Sequence, residues 1–285
     1  MDKSADYEVI IRPEKGWFCF DWKEFFHYRD LLFLLVRRDF VAKYKQTFLG
    51  PVWFFIQPLL STVVFTVIFK NALKISTGEI PSILFYLEGL LFWNYFSQSF
   101  TGVAMSMTAN SGILTQVYFP RLILPLSAVI SNLLTAGIQF LTLIVFYVYF
   151  KFFTQAGSTF HVTGHIVFLP WLILQTAMTA FGFGLWIAAL TGKRRDLLHA
   201  VGFFTQLWMY ATPIIYPASL LVGNWRMLLT FNPMAQIIEL SRVAFFGAGE
   251  IQIHDFLLSI LITAVVCLSA ILFFNKAEQD FVDFV

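Results

Sequence analysis

From residue 51 onward, the chain consists of long apolar runs that are separated by short polar segments. About 20 apolar residues are needed to cross the hydrocarbon core of a bilayer as a helix, and six runs reach roughly that length. None of them alternates polar and apolar residues as the strands of an outer-membrane barrel do. The sequence therefore predicts an all-α membrane protein. Its six predicted transmembrane helices are residues 52–69, 83–107, 122–150, 166–190, 198–215 and 256–274.

Charged residues are concentrated ahead of these runs. Only 13% of the 285 residues are charged while 58% are hydrophobic, and 17 of the 36 charged side chains lie in the first 50 positions. A soluble domain of this length cannot cover so much apolar surface, which excludes that class. We therefore divide the chain into a cytoplasmic N-terminal segment (1–50), a six-span transmembrane domain (51–275) and a short cytoplasmic tail (276–285).

The distribution of lysine and arginine predicts the orientation. If the N-terminus is inside, the cytoplasmic segments hold 14 of the 19 basic residues and the outer segments hold five. Membrane proteins carry their excess of positive charge in cytoplasmic loops, so both termini are predicted to be cytoplasmic. No cleavable signal peptide is expected, because the first 20 residues lack a continuous apolar core.

Two segments outside the spans have a membrane character of their own. Residues 22–44 combine apolar side chains at helical spacing with basic ones, which predicts a helix in the inner interface; a solvated helix that packs on the protein is the alternative. Residues 214–222 and 234–246 are apolar, too short to cross, and bounded by prolines. They predict a re-entrant helical hairpin on the outer side before the last span, with an ordinary external loop as the alternative.

Signatures of catalysis are weak. His161 and His165 stand four residues apart in a predicted loop with no carboxylate nearby, so surface histidines are favoured over a metal site. Residues 191–193 resemble the end of a phosphate-binding loop, but Ile187 stands where its first glycine is needed. We predict a chain that is not an enzyme and holds no metal or cofactor, so that any ATP is bound by a partner.

Inside the spans, polar and small residues are more informative. Glu88 lies near the outer end of the second span, where hydration is favoured over a functional role. In the predicted re-entrant piece, Glu239 and Arg242 stand three apart and are predicted to form a structural pair. A row at four-residue spacing on the fourth span predicts close packing of another helix. This row is Thr176, Ala180, Gly184, Ala188 and Gly192.

The segment 116–125, QVYFPRLILP, lies between two spans and contains two prolines. A short polar and aromatic stretch of this kind belongs at a membrane surface, where a component outside the bilayer can push on it. Together with 37–59, 194–217 and 231–240, this region resembles the permease subunits of type-2 ABC exporters for polysaccharides, namely bacterial O-antigen, capsule and teichoic-acid exporters. The resemblance covers residues 30–275 with its motifs in the same order.

This resemblance implies a homodimer that works with two copies of an ABC ATPase, which bind Mg-ATP. It implies a coupling helix within 110–120 and a second ATPase contact within 191–200. Gln116 is a departure, because a basic residue is expected there in relatives. The expected coupling residues are Asn110, Leu114, Gln116, Val117, Tyr118, Phe119, Pro120, Arg121, Arg194, Arg195 and Asp196.

It also implies a channel between protomers that is lined by the first and fifth spans. The expected lining is Trp53, Phe54, Gln57, Phe204, Trp208 and Tyr210, although each aromatic residue taken singly fits an interfacial belt or the core better. Fixed cations favour a polyprenyl diphosphate at the inner surface. The expected entrance residues are Arg37, Arg38, Lys43, Lys45, Leu49 and Gly50.

The sequence thus predicts the transmembrane subunit of an ATP-driven exporter of lipid-linked polysaccharide in a bacterial inner membrane. Its partners would be the ATPase, the glycan-lipid and membrane lipid, and not nucleic acid. An exporter of drugs or other small amphiphiles is one alternative. An ion-coupled carrier is another, although such carriers usually bury charged relays at the membrane midplane.

Overall fold

The computed structural model describes residues 26–45, 47–114, 116–191, 196–221, 223–249 and 251–281. These residues are helical with connecting turns and contain no strand. Short 3-10 segments and one π-helical stretch, Thr66–Ala72, join or extend the α-helices. The α-helices are α1 Arg29–Ala42, α2 Trp53–Phe65, α3 Ser82–Ala109, α4 Ser111–Leu114, α5 Ile123–Phe153, α6 Leu169–Thr191, α7 Leu197–Tyr210, α8 Arg226–Thr230, α9 Pro233–Phe246 and α10 Ile253–Phe281.

Four helical stretches within the described residues are long and apolar enough to cross a membrane. They correspond to the first, third, fourth and sixth predicted spans. The second predicted span lies within α3, which is long enough, but its side chains include the polar residues Glu88, Asn94 and Gln98. The four stretches are Gly50–Ala72, Ile123–Phe153, Gly164–Thr191 and Ile253–Ala277.

The fifth predicted span forms a shorter helix than expected. Helix α7 ends at Tyr210, so its 14 residues measure only about 21 Å, and the chain continues through turns. Pro213 lies three residues beyond the helix end and has no N–H to donate, so the helix cannot continue through it. Of the two pieces predicted to form the hairpin, 234–246 lies within the helix α9, and the described residues 214–221 contain a 3-10 turn.

Helix α9 has clear sequence signals at both ends. The side chain of Asn232 caps its N-terminus by accepting a hydrogen bond from the Met234 N–H, and Pro233 occupies the first position. Gly247 ends the helix in the left-handed conformation, with φ of 69°. The helix between these caps is buried nearly throughout by the rest of the chain.

Helix α3 is the centre of the fold, since it packs against α5 on one side and α6 on the other. The predicted small-residue row lies at the second contact. Thr176, Ala180 and Ala188 are fully buried, and a Cβ built on Gly184 would lie 2.7 Å from the Val103 side chain of α3. The predicted close packing is therefore confirmed, while Gly192 lies outside the described residues.

Candidate functional site

Helix α1 lies against α5 at one end of the helix bundle, which we call the α1 end. Leu35 and Val36 are the residues that α1 buries. This orientation fixes where its basic side chains point. Arg37, one residue along and about 100° around the helix from Val36, is exposed to solvent, and so is Lys45 beyond the helix end.

Lys43 instead points inward, between α1 and α5. Its ammonium group donates hydrogen bonds to Asn132 Oδ1 at 2.6 Å and to Thr135 Oγ1 at 3.2 Å. Burial lowers the pKa of Lys43 to about 8, and the nearby Asp39 carboxylate partly offsets that effect. The site therefore holds a cation that is poorly solvated and that has two neutral oxygen partners from α5.

Arg38 connects α1 to the loop that follows α3. Its Nη2 donates to Asn110 Oδ1 at 2.7 Å, and its Nε donates to Asp39 Oδ1 at 2.9 Å. Asn110 in turn donates to the Ser106 carbonyl of α3 at 2.8 Å. The structure thus brings together a residue predicted for the entrance and a residue predicted for coupling.

A cleft of about 830 Å³ opens between α1, α3, α5 and α7 at the α1 end. Arg38, Asp39 and Lys43 are the charged residues among its described lining. The α3 and α7 walls contribute neutral amides and hydroxyls, Gln98 and Gln206 among them. The sequence analysis missed these neutral residues; the available signal was polar side chains placed within otherwise apolar spans.

The predicted coupling segment protrudes from the same end. After the short helix α4, residues 117–120 have no regular structure. Tyr118 is 72% exposed and Val117 56%, whereas Phe119 is 3% exposed and packs with the core around Ile123. Phe119 therefore anchors the segment while its two neighbours project outward.

The other predicted coupling residues divide into three groups. Gln116 and Asp196 are exposed. Leu114, Pro120 and Arg121 are half-buried. Arg194 and Arg195 lie outside the described residues.

The residues predicted for the channel differ in their exposure within one copy of the chain. Phe204 and Tyr210 are exposed on α7, and Trp53 and Gln57 are exposed on α2. The remaining two, Phe54 and Trp208, pack against other aromatic rings of the chain. Phe54 stacks on Phe40, and Trp208 packs between Phe96 and Phe183 while its indole N–H donates to Asn232 at 3.0 Å.

Helices α2 and α7 both present open apolar faces. In the stretch Gly50–Ala72, which contains α2, only 17% of the 18 residues with the most apolar composition are buried within the chain. A face of this kind in a membrane protein is covered either by lipid or by another protein helix. Leu49 is exposed as well. Gly50, the first residue of the 3-10 turn before α2, has the left-handed conformation with φ of 54°. The exposed apolar residues include Leu60, Val63, Val64, Phe203, Phe204 and Leu207.

At the opposite end of α3, a buried ionic cluster joins α3 to α9. The predicted pair is confirmed, with Arg242 Nη1 2.9 Å from Glu239 Oε1. The preference for a hydrated Glu88 is wrong, because this side chain is fully buried, accepts a hydrogen bond from Ser241 and lies 3.4 Å from Arg242 Nε. The Arg242 guanidinium also lies 3.7 Å from the ring centroid of Phe85.

Comparison with known proteins gives a consistent result. The family model described as ABC-2 type transporter matches residues 30–246. The chain is 29% identical over 266 residues to the O-antigen export system permease protein RfbA of Myxococcus xanthus, covering 92% of this chain and 97% of the relative. It is 28% identical over 257 residues to the protein of the same name from Klebsiella pneumoniae, covering 89% and 94%.

Proposed function

The chain belongs to the ABC-2 type transporter family, and on that premise we propose that it is the transmembrane subunit of an exporter for a lipid-linked, O-antigen-like polysaccharide. One observation carries this proposal. Relatives named as O-antigen export permeases align with the chain over nearly their whole length, so the similarity is not confined to a shared membrane segment.

ATP hydrolysis in this proposal is performed by a separate ABC ATPase that docks on the coupling segment. The exposed side chains of Val117 and Tyr118 support it, because a soluble partner can bury both while Phe119 holds the segment to the bundle. Residues 191–200 provide a second contact. Mg-ATP is bound by the partner, and its closure moves the coupling segment, which biases the bundle between closed and open arrangements.

Two copies of the chain form the working unit, with the channel between them. The open apolar faces of α2 and α7 support this arrangement, since another copy can cover part of each. In the full topology α3 and α7 complete six spans. Helix α9 and the preceding turns form the outer re-entrant pair, and these turns complete the crossing that the short helix α7 begins.

The inner entrance lies at the α1 end in this proposal. Arg37, Arg38, Lys43 and Lys45 attract a polyprenyl diphosphate to the cytoplasmic surface of a bacterial inner membrane, with both chain termini on that side. Leu49 and Gly50 lie where the chain enters the first span. Many similar weak contacts with aromatic rings then allow the glycan to pass without a deep trap.

Deletion of the gene in its own bacterium tests the proposal. The expected result is loss of surface polysaccharide, with lipid-linked precursor accumulating inside, and recovery of both when the wild-type chain is supplied. Normal surface polysaccharide in the deletion strain would contradict the proposal. Greater sensitivity to amphiphiles without that loss would indicate a drug exporter, and transport by purified protein without an ATPase would indicate an ion-coupled carrier.

A further inference from the structure

We propose that the cleft between α1, α3, α5 and α7 is a binding site for a glycosyl diphosphate head group, with the diphosphate at Arg38 and Lys43 and the first sugars against the α3 and α7 walls. The inference rests on the proposed function and makes it more specific. It selects two of the four basic residues at the entrance and adds a sugar site that the entrance alone does not contain.

The positions of the cations support the diphosphate half of this site. Arg38 and Lys43 are among the residues that line the cleft, and Arg37 and Lys45 are not. Arg38 lies on α1 and Lys43 directly after its end, and Asp39 between them leaves a net charge of +1. A diphosphate supplies charge that neither Asn132 nor the other neutral partners supply, so charge-assisted hydrogen bonds favour it at this position.

The opposite walls have the chemistry of a sugar site. Five neutral polar side chains line the cleft from α3 and α7, namely Ser97, Gln98, Thr101, Thr205 and Gln206. The hydroxyls of Ser97 and Thr205 donate to backbone carbonyls and can still accept a hydrogen bond, whereas the two glutamine amides can both donate and accept. Amides and hydroxyls suit sugar hydroxyls, which are also neutral donors and acceptors. Trp93 on α3, which is buried, also lines the cleft.

One buried group in the cleft has no partner of its own. Ser131 on α5 lines the cleft, is 1% exposed, and its Oγ makes no hydrogen bond within the described part of the chain. Burying a hydroxyl without a hydrogen bond is unfavourable, which points to a polar ligand as its partner. Ser131 and Asn132, the partner of Lys43, both line the cleft.

The size of the cleft agrees with a head group and not with a whole polymer. Its volume of about 830 Å³ falls within the range of roughly 300–1,000 Å³ that is usual for small-molecule sites. The lipid tail would leave toward the membrane and the rest of the glycan toward the channel. The cleft therefore binds the diphosphate and the first sugars, where lipid and glycan are joined. This part is the same in every chain of a given glycan, regardless of its length.

Binding measurements on the full-length chain, purified with its ATPase in lipid nanodiscs, test this site. The probes are farnesyl diphosphate, the same lipid carrying one hexosamine on its second phosphate, and inorganic diphosphate. Arg38→Met and Lys43→Met are each expected to weaken binding of the glycosylated lipid at least tenfold, or about 1.4 kcal/mol. Arg37→Met and Lys45→Met are expected to weaken it less than threefold, and Arg29→Met not at all.

The sugar half is tested separately. The glycosylated lipid is expected to bind more tightly than farnesyl diphosphate, and Gln98→Leu and Gln206→Leu should remove that preference without changing the affinity for farnesyl diphosphate. Lys43→Arg keeps the charge and should retain binding, which separates loss of the site from misfolding. Tight binding of inorganic diphosphate, equal to that of the lipid, would identify a free-phosphate site and overturn the head-group assignment.

Two outcomes separate this inference from the proposed function. Equal effects of all four basic residues would mean diffuse attraction at the membrane surface and would overturn the cleft, even if gene deletion still abolishes surface polysaccharide. Intact surface polysaccharide in the deletion strain would overturn the exporter assignment, whereas the binding measurements would still decide whether the cleft holds a glycosyl diphosphate.

Discussion

Replacement of Arg242 by methionine should destabilise the fold far more than any change to its acidic partners. In the native cluster one guanidinium lies between the carboxylates of Glu88 and Glu239, with contacts of 3.4 and 2.9 Å, and all three side chains are buried. Among the described residues, Arg242 is the cation that contacts both carboxylates, and Arg242→Met leaves these two buried groups without it. Breaking a buried ion pair in this way costs about 3–5 kcal/mol.

Replacing the acidic partner Glu88 by glutamine should have only a small effect on stability. Glutamine keeps a carbonyl oxygen that accepts the hydrogen bond from Ser241, and it takes the formal charge of the cluster from −1 to zero. The other oxygen of Glu88 makes a 3.4 Å contact with Arg242 Nε and no hydrogen bond, so replacing this oxygen by an amide nitrogen breaks no hydrogen bond. We expect Glu88→Gln to change the free energy of unfolding by less than about 1 kcal/mol.

Thermal unfolding of the protein in detergent, followed by tryptophan fluorescence, measures both effects. At about 2–4 °C per kcal/mol, Arg242→Met should lower the Tm by on the order of 10 °C. Arg29→Met, at an exposed arginine on α1, is the matched control and should leave the Tm unchanged. Adding Glu88→Gln to Arg242→Met should recover part of the loss. A Glu88→Gln variant as unstable as Arg242→Met would refute the charge argument.

Three further predictions follow from the α1 end and the α3 contact. Affinity for the glycosylated lipid should fall as the pH rises above about 8, because the pKa of Lys43 is about 8 and its charged form binds the anion; titrations at constant salt should show no such fall in Lys43→Arg, and a fall there would contradict the assignment. Gly184→Leu should lower the Tm, since overpacking costs about 1–3 kcal/mol, whereas Gly137→Leu, which meets open space, should not. Tyr118→Ala should reduce co-purification of the ATPase, and an equal reduction by Tyr149→Ala at the other end of α5 would contradict the docking role.

Most of the helical framework could be predicted from the sequence, because apolar runs of membrane length leave a chain few alternatives. The small-residue row on α6 likewise predicted close packing at Gly184, and spacing alone predicted the pair of Glu239 with Arg242. The end of α7 was less predictable. Hydropathy continues to Ile215, but the backbone leaves the helix at Tyr210 ahead of Pro213.

The buried position of Glu88 could not be predicted, since its partner Arg242 lies 154 residues away in a segment whose docking on α3 has no local signal. For the same reason, the sequence could not predict which of the basic residues at the α1 end line the cleft. Which of them faces the cleft depends on how α1 is rotated against α5, and that rotation is fixed by tertiary packing of Leu35 and Val36.

The most direct test of the account is translocation by the purified complex. Proteoliposomes that contain the chain, its ATPase and lipid-linked glycan should expose the glycan on the opposite leaflet only when ATP and Mg²⁺ are supplied, as measured with a membrane-impermeant glycosidase. Variants in which Tyr118 is replaced should bind glycan-lipid but fail to move it. Translocation without nucleotide, or by the chain in the absence of the ATPase, would contradict the central claim.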